Sequence, residues 1–125
     1  MLRNSQSSNT PIQHALADFL RLHPEHHLEL PAFYERKRDT FIGLLKGSRF
    51  RFEPSAGTYF QLLDYGDISQ EADVPLARRW TIEQKLASIP VSVFYQQAPQ
   101  STLLRFCFAK DDATLARAAS VLCRL

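Results

Sequence analysis

The chain has 125 residues, a length that suits one modest domain. Hydrophobic residues make up 45% of it and charged residues 22%, values that are ordinary for a globular protein. The formal net charge is only +2, the basic residues are dispersed, and no apolar run is long enough to span a bilayer, so nothing in the composition indicates a nucleic-acid or membrane partner.

The N-terminus and the cysteines point to a cytoplasmic protein. Residues 1–9 (MLRNSQSSN) are polar and lack the apolar segment of a secretory signal, so we expect a flexible lead-in and a cytoplasmic location. Cys107 and Cys123 lie in apolar stretches without metal-ligand spacing, which predicts two small buried hydrophobes. The histidines of the segment 23–27 (HPEHH) have no accompanying ligand pattern, which favours a solvated loop over a metal site.

Two helices are predicted in the first third of the chain. The first has Thr10 as its N-cap and Pro11 at its first helical position, carries apolar residues at intervals of three and four, and ends at Pro24. The second is predicted from about Pro31 to Lys46, with Gly47 as its C-cap.

The remaining chain predicts a small sheet with two further helices. Phe50, Phe52 and the run Thr58–Tyr65 are expected to form strands joined by a turn at Pro54–Gly57. The other elements are a helix over Val74–Leu86, a short strand near Ser88–Ile89, a strand over Leu103–Ala109 and a final helix capped by Asp111 or Asp112. The resulting order, α-α-β-β-α-β-β-α, predicts an α+β fold in which helices pack on a small β-sheet as a two-layer sandwich over residues 10–125.

Arg105 is the residue that most suggests chemistry. It lies in the middle of the apolar strand LLRFCFA, where a guanidinium is costly unless it meets an anion. The guanidinium fork matches a carboxylate with two parallel hydrogen bonds, which indicates capture of a substrate carboxylate. The alternative is an arginine on a sheet face that extends to solvent or pairs with an acidic side chain.

Two loops are further candidates for ligand contact. Gly57 precedes two aromatic residues, Tyr59 and Phe60, and a glycine there can let the backbone approach a ligand while the rings line a pocket. The alternative is an ordinary hairpin turn. The segment Ser88–Tyr95 (SIPVSVFY) predicts a strand that breaks into a loop bearing aromatic residues, which can contact a ligand or merely pack on the core.

Three ordered motifs, PSAGTYFQLLDY, ASIPVSVFY and LLRFCFAKDDATLARAASVL, resemble the C-terminal part of the fold-type-I aminotransferases, which depend on pyridoxal phosphate. The subgroup acting on methionine, glutamine and kynurenine is the most similar. The segments NTPIQHALADFL and LPAFYERKRDTFIGLL resemble the part of the family that follows the cofactor domain, so the likeness covers about residues 8–125. One departure is Lys85-Leu86, where relatives usually have a Gly-Val pair.

The resemblance assigns roles to the candidate residues. In this family the arginine of the strand that matches LLRFCFA binds the substrate α-carboxylate, which implies that role for Arg105. The resemblance also implies substrate contacts in the turn and the loop, by Gly57, Tyr59 and Phe60, and by Val91, Ser92 and Phe94.

The resemblance further implies a function that this chain cannot perform alone. In the family, the lysine that holds pyridoxal phosphate lies in a large domain upstream of this segment, and that domain is missing from the sequence. We therefore expect the C-terminal small domain of an enzyme that moves an amino group from a methionine-like or aromatic L-amino acid to a 2-oxo acid. We expect the chain to be inactive alone, to bind no cofactor covalently and to form a homodimer.

Two alternatives remain at this stage. The chain could be a stand-alone module that binds small carboxylates through Arg105 or regulates a partner. It could also be a remnant of a truncated gene, in which case apolar surface would be exposed where a large domain once packed.

Overall fold

The computed structural model describes residues 9–125, so that all of the expected lead-in except Asn9 lies outside the described residues. Two compact units are distinguished, one ending at Phe33 and one covering Tyr34–Leu125. The elements are α1 (Thr10–Leu22), α2 (His26–Leu44), β1 (Phe60–Asp64), α3 (Asp73–Gln84), β2 (Ile89–Pro90), a 3-10 turn (Ser92–Phe94), β3 (Leu103–Cys107) and α4 (Asp112–Leu122).

The first unit contains α1 and the start of α2. The predicted cap at Thr10 is wrong, because Thr10 is already helical and Asn9 takes the cap position without a side-chain hydrogen bond. The helix ends before Pro24, as predicted, but α2 begins at His26 and includes Pro31 instead of starting there. A turn closed by the bond from the Glu29 N–H to the Glu25 carbonyl already forms ahead of the proline. His26 and His27 are therefore helical and not part of a loop.

The sheet belongs to the second unit and has three antiparallel strands in the order β1-β3-β2. The central strand β3 confirms the predicted apolar strand. The predicted hairpin from Phe50 and Phe52 is wrong, because residues 50–52 contribute only one isolated bridge, between Arg51 and Asp64. The backbone after Phe52 is held by a side chain and not by a strand ladder, as described below for Gln61.

One face of the sheet is buried and the other is open. Leu104 and Phe106 of β3 and Leu63 of β1 are at most 4% exposed and join one hydrophobic core with buried side chains of α2, α3 and α4. This arrangement confirms the predicted α+β sandwich of helices on a small sheet. Alternation then places Arg105 and Cys107 on the opposite face of β3.

The expected burial of the cysteines is wrong. Cys107 is exposed because it shares the open face of the sheet with Arg105, and Cys123 is exposed because it follows the last buried turn of α4. Both are free thiols.

The helix ends are set by specific residues. Asp111, one of the two residues predicted as the cap, caps α4 and accepts a hydrogen bond of 2.7 Å from the Thr114 N–H. Lys85 ends α3 in the left-handed conformation, with φ of 55°. Only glycine adopts this conformation at little cost. The glycine that relatives usually have at this position therefore fits more easily than Lys85. Within residues 9–125, no helix is both long and apolar enough to cross a membrane.

Asp64, at the end of β1, is the centre of a small polar cluster. Its carboxylate accepts hydrogen bonds from Thr102 Oγ1 and the Gly66 N–H and pairs with Arg51 at 3.1 Å. A Cβ at residue 66 would lie 3.1 Å from atoms of all three side chains, so glycine is needed there for close approach. Burial alone would raise the pKa of Asp64, but the bonds from Thr102 and Gly66 and the charge of Arg51 outweigh burial and lower it.

The lowered pKa of Asp64 predicts a pH dependence of stability. A carboxyl group whose pKa is lower in the folded state than in the unfolded state stabilises the fold at pH values above its unfolded-state pKa. This contribution is lost as the pH falls through the folded-state pKa. Asp64→Asn should therefore lower the free energy of unfolding by about 1–2 kcal/mol at pH 7 and by less near pH 3. Urea unfolding at both pH values tests this. The exposed Asp18→Asn should change little, and an equal loss for Asp64→Asn at the two pH values would contradict the account.

Candidate carboxylate-binding site

Arg105 lies at the centre of the open face of the sheet. It is the middle residue of β3 and is opposite Leu62 of β1 on one side and Ile89 of β2 on the other. Its guanidinium carbon lies 4.5 Å from the ring centroid of Phe60 and 5.5 Å from that of Phe94. Both distances are within the range of a cation–π contact, so the two rings fix the cation from two sides.

The guanidinium of Arg105 has no acidic partner among residues 9–125. Arginine forms ion pairs elsewhere, as Arg79 does with Glu71 at 2.7 Å and Arg51 with Asp64 at 3.1 Å, but no such pair among the described residues includes Arg105. Arg105 is half-buried and contacts aromatic faces, which accept no conventional hydrogen bond from its edge. Its N–H donors are therefore available to an external anion, and a planar carboxylate is the anion that the fork fits best.

Phe94 is carried by a short turn that is tied to the start of α3. The turn spans Ser92–Phe94 and is separated from β2 by Val91 alone. Ser92 donates from both its backbone N–H and its hydroxyl to the carboxylate of Asp73, each at 2.7 Å. Since Phe94 itself is 63% exposed, its ring is held mainly through this backbone turn and not by burial.

The turn before β1 supplies the other aromatic residues. Tyr59 is half-exposed, and its ring meets that of Phe60 edge-on at 5.7 Å, so Tyr59 extends the aromatic surface beyond Phe60. Gly57 lies in open space and does not have a positive φ. The left-handed residue of this turn is Thr58, with φ of 69°. A β-branched residue in that region is strained, and such strain clusters at ligand-binding sites.

Gln61 lies on the buried face of β1 and holds the backbone of the same turn through its side chain. This role was not predicted from the sequence. It is 1% exposed and faces the core. Its amide nitrogen donates to the Glu53 carbonyl at 2.7 Å, and its amide oxygen accepts from the Ser55 N–H at 3.1 Å. A single side chain therefore satisfies two backbone groups that a strand ladder does not pair. A glutamine at a core-facing position of a strand is the only signal that could have indicated this role.

A cleft of about 400 Å³ lies along β3 toward β2 and α4. Its lining includes Arg105 and Cys107, with apolar walls from Leu86 and Leu115. Phe60 and Phe94 do not line it. Phe94 is 63% exposed and Tyr59 is 50% exposed, so much of the aromatic surface near the guanidinium is open to solvent in this chain.

The residues of this chain do not fit the task of holding pyridoxal phosphate. The chain has four lysines, and Lys85 and Lys110 line the same cleft as Arg105, but both are exposed to solvent. Lys37 pairs with Asp112 at 2.6 Å, Lys85 donates to a helix-end carbonyl, and Lys46 and Lys110 are exposed. A Schiff-base lysine needs a desolvated amine close to the substrate, and these four do not offer one. Within the described part of the chain, no three potential metal ligands converge either.

The sequence has clear relatives among curated proteins. It is 47% identical to the methionine aminotransferase of Escherichia coli over 119 residues, which are 95% of this chain but 31% of that protein. It is 34% identical to human kynurenine–oxoglutarate transaminase 1 over 102 residues, which are 70% of this chain and 24% of that protein. The chain therefore spans about a third or less of the length of these relatives. No protein-family model matches it.

Solved structures give the same result for the fold. The methionine aminotransferase of Escherichia coli superposes with a TM-score of 0.88 at 46% identity, over 97% of this chain and 32% of that chain. The N-succinyldiaminopimelate aminotransferase of Mycobacterium tuberculosis superposes with a TM-score of 0.84 at 27% identity, over 96% of this chain and 32% of that chain. The sequence and the fold therefore both match this chain to aminotransferases, over about a third or less of their length.

Proposed function

Since this chain is a homologue of the C-terminal domain of the fold-type-I, pyridoxal-phosphate-dependent aminotransferases, we propose that it supplies the substrate-carboxylate-binding part of such an enzyme. The observation that carries the proposal is the guanidinium of Arg105, which is held between Phe60 and Phe94 without an acidic partner among the described residues. Its role is to bind the α-carboxylate of an L-amino acid and of the 2-oxo acid that accepts the amino group.

The contribution of Arg105 to the reaction is orientation. Two parallel hydrogen bonds from the guanidinium fix the plane of the substrate carboxylate and the direction of its bond to Cα, which places Cα in the site. The rings of Phe60 and Phe94 keep the guanidinium from turning and remove water from two of its sides. Pyridoxal phosphate, held by residues that lie outside this chain, supplies the electron sink of the family.

The substrate class follows from the side chains around Arg105. Tyr59 is 50% exposed and Phe94 63%, and Leu62, which is opposite Arg105 on β1, is 38% exposed. An apolar or aromatic substrate side chain gains by covering this surface, at about 25 cal/mol per Å² of apolar area. We therefore propose methionine-like and aromatic amino acids, in keeping with the methionine and kynurenine enzymes among the relatives.

The chain alone should have no aminotransferase activity. Purified chain mixed with pyridoxal phosphate, L-methionine and a 2-oxo acid is expected to form no amino-acid product above the rate of the cofactor alone. The positive control is a hybrid in which this chain replaces the matching 119 residues of the Escherichia coli methionine aminotransferase. The hybrid is expected to transaminate L-methionine. A hybrid that folds and binds the cofactor but is inactive would contradict the proposal.

We also propose that the chain self-associates as a homodimer in the cytoplasm. The apolar side of α1 is exposed, with Ile12 at 63%, Leu16 at 55% and Phe19 at 40%, and a continuous apolar surface of this kind marks an interaction site. The free cysteines fit a reducing compartment. Sedimentation velocity should give a dimer mass, and Leu16→Glu with Ile12→Glu should give a monomer. A wild-type chain that sediments as a monomer at about 100 μM would count against the dimer.

One second function is favoured by a specific observation. Because Arg105 is free of acidic partners within the described chain, it could bind small carboxylates without any cofactor domain. This binding-module alternative predicts saturable binding of L-methionine by the chain at submillimolar concentration, lost in Arg105→Ala. The aminotransferase proposal predicts much weaker binding by the chain, because half of the site is absent.

A further inference from the structure

Asp73 is the buried carboxylate that accepts both hydrogen bonds from Ser92, and the proposed function gives it no role of its own. It lies in the first turn of α3, is 5% exposed, and has no lysine or arginine partner among the described residues. A buried carboxylate is retained only when hydrogen bonds replace its hydration, and its two oxygens are met by the hydroxyl and the backbone N–H of Ser92, each at 2.7 Å. The N-terminus of α3 adds a favourable field for the negative charge.

Two hydrogen bonds between Asp73 and Ser92 link α3 to the 3-10 turn. The residues are 19 positions apart, and the bonds fix the first residue of the 3-10 turn to the first turn of α3. The turn is only three residues long, so fixing Ser92 also fixes the position of Phe94. Since the ring of Phe94 is 63% exposed, packing on its own would hold it weakly in front of Arg105.

We propose that Asp73 is a positioning residue of the carboxylate site: by holding both polar groups of Ser92, it keeps the ring of Phe94 against the guanidinium of Arg105. The effect on ligand binding rests on the proposed function of Arg105, whereas the effect on the geometry of Phe94 does not. The ring excludes water from one side of the guanidinium, and a displaced ring leaves Arg105 more hydrated and less fixed in direction.

The test uses the whole 125-residue chain labelled with ¹⁵N and ¹³C. Asp73→Asn removes the negative charge and leaves only one acceptor oxygen for the two donors of Ser92, so the bonds weaken and the Ser92 N–H should exchange with solvent about tenfold faster or more. The Arg105 Nε–H resonance, shifted by the ring current of Phe94, should move in the same direction as in Phe94→Ala. If Asp73→Asn is too unstable, Ser92→Ala removes one of the two bonds and should give a smaller change of the same sign.

Asp111→Asn is the matched control, because Asp111 also accepts a backbone N–H and a hydroxyl, both from Thr114, at the start of a helix. It should leave the Ser92 and Arg105 signals unchanged. Faster exchange at Ser92 in Asp73→Asn without any shift at Arg105 would overturn the proposal, because Asp73 would then hold the turn without positioning Phe94.

A titration of the same samples with L-methionine separates this proposal from the proposed function. If Arg105 binds the carboxylate, the dissociation constant should rise about five- to tenfold in Asp73→Asn and stay unchanged in Asp111→Asn. A shift at Arg105 caused by Asp73→Asn, together with no response of Arg105 to L-methionine up to its solubility limit, would support the positioning of Phe94 and count against the binding-module alternative. The carboxylate role in the complete site is then decided by Arg105→Ala in the hybrid enzyme. An unchanged dissociation constant in Asp73→Asn would overturn the proposed effect on binding.

Discussion

Arg105→Ala in the hybrid enzyme is expected to lower kcat/KM for L-methionine by about a hundred- to a thousandfold, which corresponds to ~3–4 kcal/mol. The truncation removes two charge-assisted hydrogen bonds and leaves the substrate carboxylate without its counter-charge in a site that the large domain has closed. Phe60 and Phe94 would remain, but aromatic faces do not bind an anion. Initial rates over a range of L-methionine concentrations measure the effect.

Arg105→Lys distinguishes the effect of the two parallel donors of the guanidinium on kcat/KM from the effect of its positive charge. Lysine keeps the positive charge but offers one compact ammonium instead of two parallel donors, so kcat/KM should still fall about tenfold or more. Arg117→Ala on α4 is the matched control: Arg117 donates to the hydroxyl of Thr114, and its loss should change kcat/KM less than about twofold. Unchanged kcat/KM in Arg105→Ala, with normal absorbance of the bound cofactor, would refute the assignment.

Trp80→Ala is expected to give the largest loss of stability, about 3–5 kcal/mol in the free energy of unfolding. Trp80 is 2% exposed, and its ring meets those of Phe50 at 6.0 Å and Tyr65 at 6.2 Å, both close to edge-on. Removing the indole leaves a large cavity between α3 and the sheet. A domain of this size has about 5–15 kcal/mol in total, so the variant should be close to unfolded at about 37 °C.

Urea unfolding followed by far-UV circular dichroism measures this loss, because Trp80 is the only tryptophan and its fluorescence disappears in the variant. Ile82→Ala on the same helix is the control. Ile82 is 62% exposed and should cost no more than about 0.5 kcal/mol. A loss below about 1 kcal/mol in Trp80→Ala would show that the core of the sandwich is not organised around this ring.

The elements that the sequence predicted well are those with strong local signals. Helix α4 combines an aspartate cap with apolar residues at helical spacing, and its observed start matches one of the two predicted caps. The strand LLRFCFA has a charged residue inside an apolar run, and this conflict alone is enough to single out Arg105. In both cases the information lies within a short stretch of neighbouring residues.

The cysteines and the hairpin show where local patterns fail. A run such as LLRFCFA suggests burial on both faces, and only the packing of helices on one side of the sheet exposes Cys107 on the other. Residues 50–52 have the composition of a strand, but their neighbours Glu53 and Ser55 are bound by the side chain of Gln61. A strand partner and a buried side chain compete for the same backbone groups, and the sequence does not tell which of them pairs.

The contacts around Arg105 were predictable only in part. Phe60 and Phe94 lie within named motifs, so they could be proposed as neighbours of the arginine. Nothing local indicates that Asp73 bonds to Ser92 across 19 residues, because aspartate at the start of a helix is usually only a favourable charge. The positive φ of Thr58 was not predictable either, because a turn pattern assigns that conformation to the neighbouring Gly57.

The most direct test of the carboxylate site is a crystal structure of the hybrid enzyme with 4-(methylthio)butanoate, which has the side chain and carboxylate of methionine but no amino group to react. The account predicts that both carboxylate oxygens lie about 2.7–2.9 Å from two nitrogens of Arg105, with the rings of Phe60 and Phe94 on either side. A carboxylate bound elsewhere, with Arg105 paired to an acidic side chain of the protein, would contradict it.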